Sequence, residues 1–286
     1  MQQRIALLSD IHANLEALEA VLRTVDLEKP DLIVVLGDTI NYGPNPRECL
    51  ELVDQHADIV LAGNHEYEAT KPESEDMEGD AREMLTWTLA KLKDFHPWEK
   101  LRAEIVEQGV NRAKLHYKDL TFVHGSGRKP VEQYVWPGHP SHHLQLNRQL
   151  DDHLLSLLKG FRTKHSFCGH THAPAMLLGY DDREICPIEP DWNRHYTFIG
   201  PRTVFYVPQD SVTIEGIAGS RVVVNPGSVG PPRDGNPLAS WALYDGDTVI
   251  FHRVVYDQRA TSAKIRALPL SNETREFFSE RLAEGI

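Results

Sequence analysis

Two kinds of apolar pattern alternate along the first part of the chain. Residues 4–9 form a short run with little polar interruption, which predicts a strand buried on both faces. From Asn14 onward, Leu15, Leu18, Leu22 and Val25 recur at helical spacing while Glu16 and Glu19 fall outside the stripe. Lys29-Pro30-Asp31 breaks that helix, and residues 32–36 make a second buried strand ending at Gly37-Asp38. Pro46 opens a helix through residue 55, because its missing N–H costs nothing in a first turn. Residues 58–62 read as a third strand, ending at Gly63-Asn64-His65-Glu66. A β-α-β-α-β order predicts parallel pairing and right-handed crossovers, with ligands gathering beyond the carboxyl ends of the strands.

Residues 67–111 interrupt this rhythm. Positions 70–78 are polar and acidic and predict a mobile loop. Residues 80–92 predict a helix with Met84, Leu85, Leu89 and Leu92 inward, and residues 98–106 a second one. Sheet character returns at residues 120–123, which end at His124-Gly125-Ser126. A helix follows over 145–159, then a strand over 166–168 that ends at Gly169-His170-Thr171-His172. Residues 179–219 are β-rich and aromatic, with no helical period. Residues 222–224 run into Asn225-Pro226-Gly227-Ser228, and the strands at 241–244 and 248–256 flank Asp245-Gly246, a hairpin signal. Residues 261–286 form a tail that ends in a helix. The expectation is a single domain over residues 1–286, with a helical insertion near 67–111 and a β-rich one near 179–219.

Composition narrows the functional classes. A formal net charge of -12 over 286 residues argues against long nucleic acid as a partner, since phosphate backbones reward clustered Lys and Arg. No apolar run approaches a membrane span, and Met1-Gln2-Gln3-Arg4-Ile5 does not begin a signal peptide. Cys49, Cys168 and Cys186 form no spaced framework, so a reducing cytoplasm is expected. The fifteen histidines decide nothing by number, since His142, His143 and His153 read as solvated positions.

What matters is where the polar groups fall. Asp10/His12, Asp38, Asn64/His65, His124 and His170/His172 end five apolar strands. Taken singly, a Gly-Asp is a turn, an Asn-His a loop cap, and a buried His a satisfied core residue. Five such clusters at five strand tips are not explained by packing. Buried carboxylates and imidazoles are costly without a partner, and a divalent cation satisfies both.

In this order, Asp-x-His, Gly-Asp, Gly-Asn-His-Glu, His-Gly-Ser and Gly-His-Thr-His resemble the motifs of the calcineurin-like metallophosphoesterases, from residue 5 to residue 230. The phrases from Ser9 to Leu18, Tyr42-Gly43-Pro44-Asn45-Pro46, and Asn225-Pro226-Gly227-Ser228-Val229-Gly230 resemble the small prokaryotic phosphodiesterase branch. The resemblance implies a four-layer α/β/β/α sandwich of two mixed sheets flanked by helices, with two divalent metals at one edge. By the same resemblance Asp10, His12 and His172 bind the first metal, Asn64, His124 and His170 the second, and Asp38 bridges them. The mixed donor set suits Mn first, with Fe, Zn or Ni as alternatives, rather than Mg or Ca. A hydroxide held between the ions attacks phosphorus in line, and His65 protonates the leaving alkoxide. Ser9, Ser126 and Ser228 then need no nucleophilic role, and Ser228 shapes a loop beside the site.

Arg128, just past His-Gly-Ser, is a candidate phosphate contact, whereas Arg233 is expected to be a surface arginine in a salt bridge. Cys168 is expected in the core. The aromatic run Trp192, Tyr196, Phe198, Phe205 and Tyr206 suits either a pocket wall or the core of a β-segment. A phosphomonoesterase or phosphoprotein phosphatase is the first rival, but Thr39-Ile40-Asn41-Tyr42 follows Gly37-Asp38 where those enzymes carry Asp-Arg. A diadenosine-polyphosphate hydrolase is another. A protein-binding scaffold on this fold, such as a small retromer subunit, lacks the histidine that this chain keeps as His65. The expected partner is a small phosphoester, nucleotide-derived in one version, with selectivity in the two insertions. Oligomeric state is not written in the sequence.

Overall fold

The computed structural model describes residues 3–71, 79–137, 148–179 and 196–286. The N-terminal pattern folds as its periodicity dictates, through β1 (Ile5–Leu8), α1 (Leu15–Glu28), β2 (Leu32–Val35), α2 (Pro46–His56) and β3 (Ile59–Val60). Asn14 caps α1, its Oδ1 accepting from Ala17 N at 3.2 Å, and Pro46 stands in the first turn of α2. Three helices fill the next stretch: α3 (Asn64–Thr70), α4 (Gly79–Leu92) and α5 (His96–Gln108). The strands β4 (Lys114–Tyr117) and β5 (Leu120–Val123), α6 (Arg148–Lys159), β6 (His165–Phe167), β7 (Pro174–Gly179) and β8 (Tyr196–Ile199) come after them. The chain then runs through β9 (Thr203–Val207), β10 (Val212–Ile214), β11 (Arg221–Pro226), β12 (Ala239–Tyr244) and β13 (Val249–Val254). It finishes with α7 (Gln258–Arg266) and α8 (Asn272–Glu284).

One sheet has the order β10-β13-β12-β1-β2-β3 and the other β4-β5-β6-β11-β7-β9-β8. Both are mixed. β1, β2 and β3 pair in parallel, as do β5, β6 and β11, while β1 meets β12 and β11 meets β7 antiparallel. Strand alternation sorts the side chains into layers. Ile5, Leu7, Val34 and Leu36 face Phe122, Phe167, Met176 and Val222 of the other sheet in the central core. Ala6, Leu8 and Val35 turn the other way, onto Leu18, Val21 and Val25 of α1. On the far side, Leu177, Phe205 and Val223 pack under Leu154, Leu157 and Leu158 of α6. The result is the expected α/β/β/α sandwich. Burying a side chain of Leu or Phe size in it contributes about 1.5–3 kcal/mol.

Some elements differ from expectation. β3 is shorter than residues 58–62, β4 and β7 are additional strands, and the C-terminal tail holds two helices. Cys168, Phe198 and Phe205 lie in the core under α6 and Tyr206 in the central core, so those aromatics build the sandwich. His153 is exposed as expected. Cys186, Trp192, His142, His143, the acidic loop at 72–78 and the start of the helix expected over 145–159 lie outside the described residues. Among the described residues no helix is long and apolar enough to cross a membrane.

Candidate metal centre

The parallel strands of both sheets end at one edge, and their loops are laced together there. His170 N donates to Asp10 Oδ2 across the two sheets (3.0 Å), His124 Nδ1 meets Leu36 O (2.9 Å), and Gly169 N donates to His124 O (2.8 Å). Ser228 Oγ donates to Asp10 O (2.8 Å) and Asn225 Nδ2 to Gly169 O (2.7 Å), so the Asn-Pro-Gly-Ser loop binds the other loops to each other. Gly63 and Gly169 admit close approaches that a side chain would block: a Cβ would stand 2.1 Å from Asp38 Oδ1 at the first and 1.9 Å from Ser9 Oγ at the second.

Asp10, His12, Asp38 and His172 present ligand atoms that all lie within 4.8 Å of one another, and Asp38, His124 and His170 do the same, with Asp38 common to both groups. All six are buried. Asn64 joins the second group through Oδ1, 3.1 Å from His124 Nε2. The ring orientations are informative. His12 Nδ1 bonds to Ile40 O (3.1 Å) and His172 Nδ1 to Pro231 O (2.6 Å), so each ring proton sits on Nδ1 and each Nε2 lone pair faces inward. Those two Nε2 atoms are 3.1 Å apart. Two lone pairs at that distance repel unless a cation lies between or beside them. Asp10 Oδ1 and Asp38 Oδ2 are buried with no hydrogen-bond partner, although the other oxygen of each carboxylate accepts a backbone N–H. Unsatisfied carboxylate oxygens facing imidazole lone pairs fit a divalent metal centre.

Burial and neighbouring charge divide these groups. Burial, with Asp38 adding to it, pushes the Asp10 carboxyl up to about 7. Burial alone would also raise Asp38, but the imidazoles of His124, His65 and His12 hold it well below the usual range. His124 resists its own burial because Asp38, Asp10 and Glu66 surround it, and its pKa rises to about 9. Burial drives His12 and His172 well down, and His170 to about 3, which keeps those rings neutral and able to act as ligands.

His65 is oriented the opposite way. Asn41 Nδ2 donates to His65 Nδ1 (2.8 Å), which leaves the ring proton on Nε2, and Nε2 faces Asp38 Oδ2 at 3.9 Å. Burial lowers its pKa to about 4. Its neighbour Glu66 has a role that sequence reasoning missed. Glu66 Oε1 accepts from Thr39 N (2.7 Å) and Ile40 N (3.1 Å), and Oε2 from Asp38 N (3.0 Å) and Gly63 N (2.7 Å). One buried carboxylate thereby fixes the loop that carries Asp38. The acidic residue in the first turn of a helix was the available signal.

The two arginines separate. Arg128 donates to Ser156 Oγ on α6 (3.4 Å), away from the cluster. Arg233, expected in a salt bridge, instead stands beside the centre: its N–H donates to His172 O (3.1 Å), and it lines the same cavity as His12 and Tyr42. Its charge adds to the depression of His12, His65 and His172. Tyr42 stacks on His12 with ring centroids 4.6 Å apart and meets His65 edge-on at 4.4 Å, while Tyr134 stacks on His170 at 4.1 Å.

A two-sheet sandwich with an Asp/His cluster at the strand tips defines a metallophosphoesterase. The chain belongs to the calcineurin-like phosphoesterase family, whose model matches residues 3–174, and it is a hydrolase acting on phosphoric esters. It is 32% identical to a metallophosphoesterase from Sphaerobacter thermophilus of known crystal structure, over all of both chains, with a TM-score of 0.71. An uncharacterized protein of Methanocaldococcus jannaschii is 27% identical over 294 residues, covering all of this chain and 99% of that one. A hypothetical protein from Pyrococcus horikoshii shares the fold at 19% identity and a TM-score of 0.63, over 96% of this chain and 97% of its own.

Proposed function

We propose that this hydrolase is a two-metal phosphodiesterase for a small phosphoester, in which Asp10, His12 and His172 hold one ion, Asn64, His124 and His170 the other, and Asp38 both. The observation that carries the reading is the pair of unsatisfied buried oxygens, Asp10 Oδ1 and Asp38 Oδ2, set against inward-facing imidazole nitrogens. Mn is the first choice of ion, with Fe, Zn or Ni as alternatives. When bound, the ions supply Lewis acidity towards the phosphoryl oxygens and a water acidified for attack.

The protein's own residues do the rest. His65, once protonated as imidazolium, gives the proton on Nε2 to the leaving alkoxide and returns to neutral imidazole, a contribution of about 10²- to 10⁴-fold. Asn41 orients the ring so that Nε2 faces the centre. Arg233 clamps a phosphate oxygen through its planar fork, the role the sequence had offered to Arg128. Glu66 holds the Asp38 loop rigid and takes no part in proton transfer. The two described cysteines, Cys49 and Cys168, are buried thiols, which suits a reducing cytoplasm. Residues 1–286 act as one catalytic unit, since Arg233 lies beyond the stretch matched by the family model.

A monoesterase reading draws on the same Arg233, which puts a cation beside the centre although none follows Gly37-Asp38. The test is hydrolysis of bis-p-nitrophenyl phosphate against p-nitrophenyl phosphate by Mn-loaded protein, with metal analysis. Two ions per chain and preference for the diester are expected. Preference for the monoester would replace diesterase by monoesterase, and no stoichiometric metal with no turnover of either would remove the proposal. His65→Ala is expected to keep its metals and lose at least about 10²-fold in kcat. Full activity in that variant would remove the acid role alone.

A further inference from the structure

A cavity of about 410 Å³ adjoins the candidate metal centre, large enough for a nucleotide-sized ligand. His12 and Tyr42 form its inner end. Its outer wall comes from α7 and α8, beyond the residues matched by the family model, and from Gly79, Asp80 and Ala81 at the start of α4, inside the expected helical insertion. An aromatic path joins the two ends: Tyr42 stacks on His12, Phe278 lies 4.9 Å from Tyr42, and Phe277 meets Phe278 edge-on at 5.1 Å. Phe277, a large apolar ring on the cavity lining, is 38% exposed.

Two guanidiniums line this space, Arg233 near the centre and Arg281 on α8. Neither has a side-chain carboxylate within ion-pair distance among the described residues. Burial and the charge of Arg233 both depress Arg281, so the two cations raise each other's energy. Arg281 Nε donates to Ile286 O (2.9 Å), and its guanidinium lies over the Phe277 ring at 5.0 Å, which fixes the fork and leaves Nη1 and Nη2 free to bind a ligand. Asp80, the carboxylate on the described lining, is engaged by Thr274 Oγ1 at 2.6 Å. Two mutually repelling arginines in one cavity, with no side-chain carboxylate paired to either among the described residues, are stabilised by two anionic groups on one ligand.

We infer that this cavity selects a phosphoester whose organic arm carries a flat ring and a second anionic group. The ring lies against Tyr42, Phe277 and Phe278, and the second anion lies on Arg281. Nucleotides with more than one phosphate have that chemistry. The inference rests on the phosphoesterase reading above and adds the substrate class.

The experiment is calorimetric binding of ADP and AMP to Mn-loaded protein dialysed free of excess metal, for the wild type, Arg281→Gln, Arg281→Lys and Phe277→Ala. ADP is expected to bind at least about tenfold more tightly than AMP, as befits one added charge-assisted contact. Arg281→Gln should erase that preference while binding AMP as the wild type does. Arg281→Lys should keep part of the preference, and Phe277→Ala should weaken both ligands alike. Equal affinity for ADP and AMP in the wild type, binding of neither, or a preference that survives in a folded Arg281→Gln protein would overturn the inference. Melting curves check the fold of each variant. Hydrolysis of bis-p-nitrophenyl phosphate, which lacks a second anion, separates the two readings. A protein that hydrolyses it without preferring ADP loses only the pocket assignment. One that prefers ADP through Arg281 but hydrolyses no ester loses only the catalytic reading.

Discussion

Replacing Glu66 by Gln is nearly isosteric, yet it should be one of the more damaging single changes in this protein. Each carboxylate oxygen accepts two buried backbone N–H groups, Thr39 and Ile40 on one side, Asp38 and Gly63 on the other. An amide offers a carbonyl to one pair and an NH₂ group to the other, so two buried N–H donors face another donor. At roughly 1–3 kcal/mol for each buried group left unsatisfied, the loss is about 2–6 kcal/mol. Part is returned, because the amide no longer has to hold a buried carboxylate whose pKa burial pushes up to about 7. A net cost of about 2–4 kcal/mol, or a fall in Tm of at least ~4 °C, is therefore expected. Because Asp38 N is one of the orphaned donors, Mn affinity should also fall about 10- to 100-fold. Thermal melts with and without Mn, together with Mn titration of the metal-free protein, measure both effects. A Gln variant that melts within ~1 °C of wild type and binds Mn as tightly would refute the role assigned to the four N–H bonds.

Three further outcomes follow from the same geometry. Phe167 is fully buried and stacks on Phe122 at 5.1 Å, so Phe167→Ala should cost about 3–5 kcal/mol in chemical denaturation; a loss under ~1 kcal/mol would mean that the central core collapses around the hole. Mn at a hundredfold excess over its Kd should stabilise the folded protein by about 2.7 kcal/mol for each ion bound, and Asp38→Asn should remove more than half of that gain as read from Tm shifts. Finally, burial lowers the pKa of His165, whose Nδ1 contacts Tyr244 Oη at 2.5 Å and whose Nε2 contacts Ile217 O at 3.2 Å. An unfolded His takes up its proton near pH 6.5 while the native ring refuses it, so stability falls as pH drops below that value until the native ring also protonates. His165→Asn should flatten the slope of Tm against pH between 7 and 5, and an unchanged slope would assign acid lability to other groups.

The parts of the fold that were legible in the sequence are those whose burial is two-sided or strictly periodic. β1 and β2 show as apolar runs because alternate residues enter different cores, Ile5 and Leu7 the central one, Ala6 and Leu8 the one under α1. β4 was hidden because its lone sheet partner is β5 and His116 faces solvent, so its pattern is weak. α8 was read only as the end of a tail, since half of its buried residues are small and polar, Thr274 and Ser279 beside Phe278 and Leu282. The candidate ligands were legible through family resemblance and strand-end position. The helpers were not, because their partners are distant in sequence and carry no motif. Glu66 acts on backbone N–H groups 26 to 28 positions away. Arg233 was expected to pair with an acid, but adjacent Asp234 is taken by Arg253 from β13, and the guanidinium is left facing the cavity.

The backbone at the candidate centre connects these observations. Asp10, His12, Asp38, His170 and His172 all adopt positive φ, between 48° and 70°, a region unfavourable for residues other than glycine. Each such position costs of order 1–3 kcal/mol and persists only where its surroundings over-determine it. The restraints are identifiable: Asp10 N donates to Gly37 O (3.1 Å), His12 N to Asp38 O (2.9 Å), and Asp38 N to Glu66 Oε2 (3.0 Å). Turning the chain this way brings the side chains of His170 and His172 towards one spot, whereas in an extended backbone residues two apart share a face but stand about 6.6 Å from each other along the strand. Glycine would relieve the strain and remove the ligand, so the strain is intrinsic to bringing these donors together. The geometry of the candidate ligands is therefore held by loop-to-loop hydrogen bonds of the protein itself, and substitutions at Glu66, Asn225 or Ser228 should weaken metal binding even though none of the three is a candidate ligand.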